Sequence, residues 1–168
     1  MNRTLLLVAL VALPVTAIAQ NQAPPAPAQP APAAPAAQPA PMAPPTTPDE
    51  FVTQRQARMG RGGGNLASQK QVLDANGDLT TLTPRIERLI QWATDLPTMF
   101  PEGSNTAASS AKPEVWSDRA GFNAAAERFR TAVQALAAPA AANDHAAFTT
   151  AWNAAHEACS ACHTAYKN

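Results

Sequence analysis

Residues 143–168 read NDHAAFTTAWNAAHEACSACHTAYKN, and their apolar positions follow one helical period. Asn143 and Asp144 are typical N-cap residues, because a short polar side chain can accept hydrogen bonds from the free N–H groups of a first helical turn. Large or apolar side chains then recur at intervals of three and four, at Phe148, Trp152, Ala155, Cys159, Cys162 and Tyr166. This spacing places them on one face of an α-helix, so the segment predicts a helix with one buried stripe.

Two segments that precede it have the same period. Ser117 and Asp118 cap a predicted third helix, which ends near Pro139. Its stripe consists of Phe122, Ala126, Phe129, Val133 and Leu136. Thr83 and Pro84 begin a predicted second helix that Pro97 ends. Its stripe consists of Ile86, Leu89, Ile90, Ala93 and Leu96.

The first predicted helix begins at TPDE, residues 47–50, a capping box with proline at the first helical position. It should end near Asn76 and Gly77, a left-handed stop signal. A glycine-rich stretch, residues 60–64, lies inside this helix, although each glycine costs up to about 1 kcal/mol relative to alanine. It predicts either a kinked or frayed turn, or space for a bulky group or another backbone.

No period-two alternation stands out after residue 48, so strands are not expected. Three helices with apolar stripes and a capped first helix, joined by turn signals, are expected to pack as an antiparallel bundle. The sequence therefore predicts an all-α domain over residues 49–168, folded as an antiparallel four-helix bundle.

The N-terminal residues have the layout of a secretory signal peptide. A basic start at Arg3 is followed by an apolar run, residues 5–13, and by the small-x-small site Ala17-Ile18-Ala19. A membrane anchor is the alternative, but the apolar stretch of about 15 residues is short of the roughly 20 that a spanning helix needs. We expect cleavage after Ala19 and an exported, periplasmic protein.

Residues 20–48 predict a disordered linker rich in proline and alanine. Eleven of residues 21–48 are proline, which removes backbone donors and favours an extended polyproline II chain. Residues 49–168 carry 23 of the 24 charged side chains, 11 basic and 12 acidic. This near balance does not support nucleic-acid binding.

The CSACH sequence at residues 159–163 is a C-x-x-C-H motif, which in an exported protein predicts covalent attachment of a c-type haem. Cysteines three residues apart lie on one helical face, so the sulfurs of Cys159 and Cys162 can both reach the vinyl groups of one porphyrin edge. His163 follows directly and is placed to bind the iron as its proximal ligand. We therefore predict one covalent haem c with its iron.

Three other uses of this motif are weaker. A disulfide between helical positions i and i+3 would be strained, and a thioredoxin-like pair expects a βαβ setting. A zinc site could add His156 to the two cysteines and His163, yet structural zinc sites usually draw on two separated ligand pairs. We expect His145 and His156 to be solvated or packed side chains.

The chain resembles the class II c-type cytochromes, the cytochrome c′ family, in four separated motifs. These are RQARM at residues 55–59, FPEGS at 100–104, AKPEVWSD at 111–118 and CSACHTAYK at 159–167. The resemblance covers residues 49–168. The family more often has arginine where Lys167 stands.

The resemblance implies roles for three residues of the first helix. Arg55 and Gln56 would lie beside the haem edge or its propionates, where arginine can pair with a carboxylate. Met59 would face the iron from the distal side. If its sulfur binds the iron, methionine–histidine ligation suits electron transfer. If it only packs there, an apolar pocket would favour NO or CO at a five-coordinate iron.

The leading functional hypothesis is an exported monohaem cytochrome that carries electrons between redox partner proteins. No paired carboxylates or nucleophile–base pair accompanies the haem motif, so an enzyme is not expected. A cytochrome that binds NO or CO is the first alternative, and a haem-free metal or thiol interaction module is the second. The resemblance also implies a homodimer through the first two helices.

Overall fold

The computed structural model describes residues 43–168. The predicted signal peptide, with its cleavage site after Ala19, and all but the last residues of the predicted linker lie outside the described residues. The α-helices in chain order are α1 (Pro48–Asp74), α2 (Thr83–Asp95), α3 (Glu114–Ser117), α4 (Arg119–Gln134), α5 (Ala137–Ala141) and α6 (His145–Tyr166). Two 3-10 helices, Leu79–Leu82 and Leu96–Met99, precede and follow α2.

The four long helices form the predicted bundle. Helix α4 packs along α6 and α2 packs along α4, while α1 contacts both α2 and α6. No β-strand occurs within residues 43–168, although Ala111 and Lys167 form one isolated antiparallel bridge. The all-α expectation is therefore confirmed. Within the same residues no helix is both long and apolar enough to cross a membrane.

Helix α1 begins at the predicted capping box. The Thr47 hydroxyl accepts a hydrogen bond from the Glu50 N–H at 3.3 Å, and the Glu50 carboxylate accepts one from the Thr47 N–H at 3.0 Å. The helix ends at Asp74, and the left-handed residue after it is Asn76, with φ 49°, rather than Gly77. Asparagine can end the helix in this way because its short polar side chain tolerates the left-handed conformation.

The glycine-rich stretch does not interrupt α1, which runs unbroken from Pro48 to Asp74. The interpretation as a frayed turn was therefore wrong, and the interpretation as space fits better. A Cβ on Gly62 would lie 3.3 Å from the indole Cδ1 of Trp92, so this glycine permits close packing of α2 on α1. Around Gly60, Gly63 and Gly64 there is open space.

The core lies between the predicted stripes. Its fully buried side chains include Ile86 and Leu89 of α2, Phe122 and Val133 of α4, and Phe148 of α6. The stripe of α6 is less deeply buried, because Trp152, Cys159 and Tyr166 are only partly buried while Ala155 and Cys162 are buried.

The boundaries differ from the predictions at two places. Pro97 falls inside the 3-10 helix Leu96–Met99, so the chain continues in a tighter helical turn after α2. Pro139 lies within the short helix α5 rather than ending the third helix, which stops at Gln134. Proline is tolerated in a first helical turn, since the N–H it lacks would have no helical partner there.

Candidate functional site

One side of the bundle is incompletely covered along the middle of α1. The buried residues of this helix are Val52 and Arg55 near its start and Leu66 and Gln69 further along. None of residues 56–65 is buried, although they form three helical turns. This uncovered part of α1 borders two cavities.

The larger cavity has a volume of about 350 Å³ and contains five of the six predicted site residues in its lining. These are Arg55, Gln56 and Met59 from α1 and Cys162 and His163 from α6. Apolar and aromatic side chains complete the walls, notably Phe100, Val115, Phe122 and Tyr166. The cavity thus joins the first-helix motif to the C-x-x-C-H motif.

The smaller cavity, of about 60 Å³, brings in the sixth residue, Cys159. It shares Met59, Cys162 and His163 with the larger cavity, so the two adjoin. Gly62 and Gly63 form part of its lining. The structure therefore brings all six predicted site residues to one region between α1 and α6.

Partial burial changes the acid–base properties of the two cysteines and the histidine of the C-x-x-C-H motif. Both Cys159 and Cys162 are free thiols. Burial raises the pKa of each, and the neighbouring Cys159 raises that of Cys162 further. Burial lowers the pKa of His163, as does the charge of Lys167, so its imidazole is held neutral, the form that binds metals.

Arg55 is a buried cation, 3% exposed, that joins α1 to the connector between α2 and α4. Its guanidinium donates to the hydroxyl and the carbonyl oxygen of Ser104, at 2.9 and 2.8 Å, and to the Ser109 hydroxyl at 2.6 Å. The rings of Phe100 and Trp116 lie 4.7 and 5.7 Å from its central carbon. Next to it, the Gln56 amide donates to the Ala108 carbonyl at 2.9 Å.

Comparison with known protein families identifies one that matches this chain. The family profile described as Cytochrome C′ matches residues 50–167. The chain belongs to the cytochrome c′ family. Membership implies a covalently bound haem c with its iron. The expected resemblance is thereby confirmed.

Individual relatives agree with this assignment. The chain is 40% identical to cytochrome c′ of Rubrivivax gelatinosus over 81 residues, 47% of this chain and 63% of the relative. It is 35% identical to cytochrome c′ of Alcaligenes xylosoxydans xylosoxydans over 65 residues, 39% of this chain and 51% of the relative. Both matches thus span less than two thirds of the relatives' length.

Solved structures match over a larger share. The crystal structure of the Rubrivivax gelatinosus protein has a TM-score of 0.66 at 27% identity, covering 72% of this chain and 97% of that one. A nitric oxide complex of a mutant cytochrome c prime from Alcaligenes xylosoxidans has a TM-score of 0.67 at 25% identity, with coverages of 72% and 95%. A carbon monoxide-bound variant of that protein also scores 0.67 at 25% identity, with coverages of 73% and 97%.

The residues of this chain fit a covalent haem c. Two free thiols and a neutral imidazole border the smaller cavity, and the Cys162 thiol and the imidazole also border the adjoining larger one, whose walls are mostly apolar. Arg55 takes part in none of the ion pairs found among residues 43–168, and a buried charge without a counter-charge is costly. Burial accordingly lowers the pKa of Arg55. A carboxylate such as a haem propionate would supply the missing negative charge.

The zinc alternative has no geometric support. Within residues 43–168, no group of three or more histidine, cysteine, aspartate or glutamate side chains is arranged to hold a metal ion. His156 instead stacks on Trp152, with ring centroids 5.1 Å apart and planes 16° apart. His156 is an exposed residue that stacks on an aromatic ring, which agrees with the expectation of a packed or surface side chain.

Two lining residues and two partners of Arg55 were not predicted as site residues. Phe122 was placed only on an apolar stripe, and Tyr166 on a stripe and in the CSACHTAYK motif. Ser104 and Ser109 line neither cavity, and their hydrogen bonds to Arg55 were not predicted. Although Ser104 belongs to the FPEGS motif, nothing in the sequence pairs either serine with Arg55, since both lie in a connector about 50 positions away. Their part becomes visible only when the connector is folded against α1.

Proposed function

We propose that this protein is an exported cytochrome with one haem c that binds neutral diatomic gases, nitric oxide or carbon monoxide. Cys159 and Cys162 would hold the haem through thioethers, and His163 would bind its iron. When bound, the haem supplies an iron centre with a coordination position that a small ligand can take.

The observation that carries this proposal is how the polar groups around the larger cavity are engaged. The donors of Arg55 bond to Ser104 and Ser109, and the amide of Gln56 bonds to Ala108. The Tyr166 hydroxyl bonds to Asp118 at 3.0 Å. None of these three donor groups is therefore free for a ligand among Met59, Val115 and the aromatic walls; the other polar side chains of the lining are Ser110, His163 and Lys167. NO and CO depend less on such donors than bound O₂ does.

The relatives support the same choice. Solved structures similar to this chain include nitric oxide and carbon monoxide complexes of variants of an Alcaligenes xylosoxidans cytochrome c prime. Gas binding is thus the function for which both the cavity and the family offer an argument.

Electron transfer is the second candidate, because of Met59. This residue lines both cavities together with Cys162 and His163. If its thioether completes the iron coordination, methionine–histidine ligation suits an electron carrier. The partners would then be redox proteins that dock through local patches, because residues 49–168 carry a net charge of only about −1.

The spin state of the ferric protein separates the two candidates. A high-spin spectrum that Met59→Leu leaves unchanged, with CO taken up in the ferrous state, would support gas binding. A low-spin spectrum that becomes high-spin in Met59→Leu would support electron transfer instead. Met99→Leu is the matched control, because Met99 is buried in the core, 4% exposed, and does not line either cavity. A purified protein without covalent haem would overturn both.

The proposal includes export of the protein to the periplasm. The layout of residues 1–19 supports a signal peptide that is cleaved after Ala19 and delivers the protein to the periplasm. N-terminal sequencing of the mature protein would show Gln20 as its first residue. A homodimer through α1 and α2, and the absence of enzymatic activity, stay predictions.

A further inference from the structure

The last turn of α6, which contains His163, is not held mainly by burial of its own side chains. None of residues 163–166 is buried, although Cys162 just before them is. The Tyr166 ring packs edge-to-face on Phe122, with centroids 5.4 Å apart, and further hydrogen bonds come from the connector between α2 and α4. The position of His163 therefore depends on how the connector holds its helix end.

Four residues of the connector, 109–112, pair with the end of α6, and we call them the brace. The brace and residues 166–168 form a short antiparallel pair with two backbone hydrogen bonds of 2.9 Å between them. One of these bonds runs from the Lys112 N–H to the Tyr166 carbonyl oxygen. The backbone of the connector thus fixes the residues that directly follow the last turn.

The side chain of Lys112 holds the last turn itself. Its ammonium donates to the Thr164 carbonyl oxygen, next to His163, at 2.8 Å. In a continuing helix this carbonyl would accept the Asn168 N–H, but that N–H donates to the Ser110 carbonyl oxygen instead. The ammonium therefore satisfies a carbonyl that the helix end leaves free, and a cation is favoured at this end of the helix dipole.

The other end of the brace is attached to α1. The Ser109 hydroxyl accepts a hydrogen bond from the Arg55 guanidinium at 2.6 Å and another from the Ala111 N–H at 3.1 Å. Ala111 in turn forms the isolated bridge with Lys167. A set of polar contacts therefore connects α1, through the brace, to the end of α6.

The two ends of the brace lie outside both cavities. Ser110 and Ala111 line the larger cavity together with His163, whereas Ser109 and Lys112 line neither cavity. Substitutions of Ser109 and Lys112 can therefore release the brace without replacing any residue of the cavity walls.

We propose that Lys112 and Ser109 are positioning residues that, through the brace, fix His163 relative to α1. Groups around a metal-binding histidine orient its ring, and here the connector holds the backbone that carries the ring. The inference rests on the proposed function in one respect, that His163 binds the iron of a covalent haem. It requires no particular ligand at the opposite side of that iron.

The test follows the histidine ring in the full-length, haem-loaded ferric protein. The chain contains three histidines, and NMR of ¹³C-histidine-labelled protein should give strongly hyperfine-shifted ring resonances only for one bound to the iron. Lys112→Met removes the donor but keeps a side chain of similar length, and Ser109→Ala removes an acceptor of Arg55. We expect both variants to shift and broaden the His163 resonances, because the ring then samples several positions.

A conservative variant provides the rescue. Lys112→Arg should restore the wild-type resonances, since a guanidinium can also donate to the Thr164 carbonyl oxygen. Lys70→Met and Ser117→Ala are the matched controls, because Lys70 pairs with Asp74 on α1, Ser117 is exposed, and neither lines a cavity. Both controls should leave the His163 resonances unchanged.

Amide hydrogen exchange measures the helix end in the same proteins. In Lys112→Met, residues 163–166 should exchange about fivefold faster than in wild type, as expected for the loss of one hydrogen bond. Lys112→Arg should again resemble wild type. Faster exchange with unchanged His163 resonances would overturn the inference, because the brace would then support the helix end without positioning the ring.

The remaining outcomes separate the inference from the proposed function. Wild-type resonances in Lys112→Met or in Ser109→Ala would overturn the inference, because the brace would not position His163 from that end, and gas binding would still stand. A haem-loaded protein that takes up no CO but shows the expected changes would overturn gas binding alone. A protein without an iron-bound histidine would overturn both.

Discussion

The guanidinium of Arg55 is buried and makes several hydrogen bonds, so even substitution by lysine should destabilise the protein. Lysine offers three donors on one nitrogen and no planar face, so it cannot serve Ser104 and Ser109 together while stacking on Phe100. We expect Arg55→Lys to lower the free energy of unfolding by about 2–3 kcal/mol, from two or three lost hydrogen bonds. Urea unfolding of the haem-loaded protein measures this loss.

Arg58 on the same helix supplies the matched control. It pairs with Asp95 at 3.1 Å, and the two side chains are 30% and 34% exposed. Arg58→Lys should lower the free energy of unfolding by less than about 1 kcal/mol, as is usual for ion pairs near the protein surface. Equal losses of unfolding free energy in the two variants would mean that the hydrogen bonds of Arg55 do not hold the connector against α1.

Single residues differ in how far the sequence could predict their surroundings. Cys159, Cys162 and His163 could be predicted to lie together because their placement depends on spacing within about one helical turn, and all three line the smaller cavity. Their role as haem ligands stays a prediction. The hydrogen bonds of Arg55 could not be predicted, because its acceptors lie in an irregular connector whose path depends on tertiary packing. The hydrogen bond from the Tyr166 hydroxyl to Asp118 was missed for the same reason, since Asp118 was predicted only as a helix cap.

The glycine-rich stretch of α1 contains positions with different constraints. Gly64 has open space around a would-be Cβ and lines neither cavity. Alanine there reduces the conformational freedom of the unfolded chain and favours the helix, so Gly64→Ala should stabilise the protein by about 0.5–1 kcal/mol. Gly62→Ala should lack this gain, because its Cβ would press on the Trp92 ring at 3.3 Å.

Thermal unfolding of the two variants, followed by circular dichroism, compares them in the same helix. A rise in melting temperature for Gly64→Ala alone is the expected result. Similar rises for both would show that Trp92 yields easily and that Gly62 is not needed for the packing of α2 on α1. A drop for Gly64→Ala would show that the stretch is not a regular helix in solution.

Helices differ in how well their two ends could be predicted. The starts of α1, α4 and α6 carry side-chain caps, from Thr47, Asp118 and Asp144, and each lies within a residue of its expected place. The C-terminal ends of the helices were harder to predict, because a proline or glycine near a helix end is compatible with several backbone conformations after it. The chain uses a 3-10 turn at Pro97 and a short helix around Pro139.

At the scale of the domain, residues 43–168 form a core that is continuous on one side and open on the other. Helices α2, α4 and α6 bury large side chains against each other, whereas residues 56–65 of α1 bury none. Both cavities lie along that part of α1, next to the cysteines and His163. A covalently attached haem would fill the space that side chains leave, so stability and cofactor loading should be coupled.

This coupling can be measured by removing the attachment points. In a Cys159→Ser, Cys162→Ser double variant, residues 56–65 should exchange their amide hydrogens much faster than in the haem-loaded protein, because few buried contacts hold that part of α1. Peptides from the middle of α4 are the internal control, since Ala125, Ala126 and Val133 are buried without the cofactor and line neither cavity. Exchange that slows equally in α1 and α4 on loading would instead indicate uniform stabilisation. Unchanged exchange in residues 56–65 would contradict a haem placed against α1.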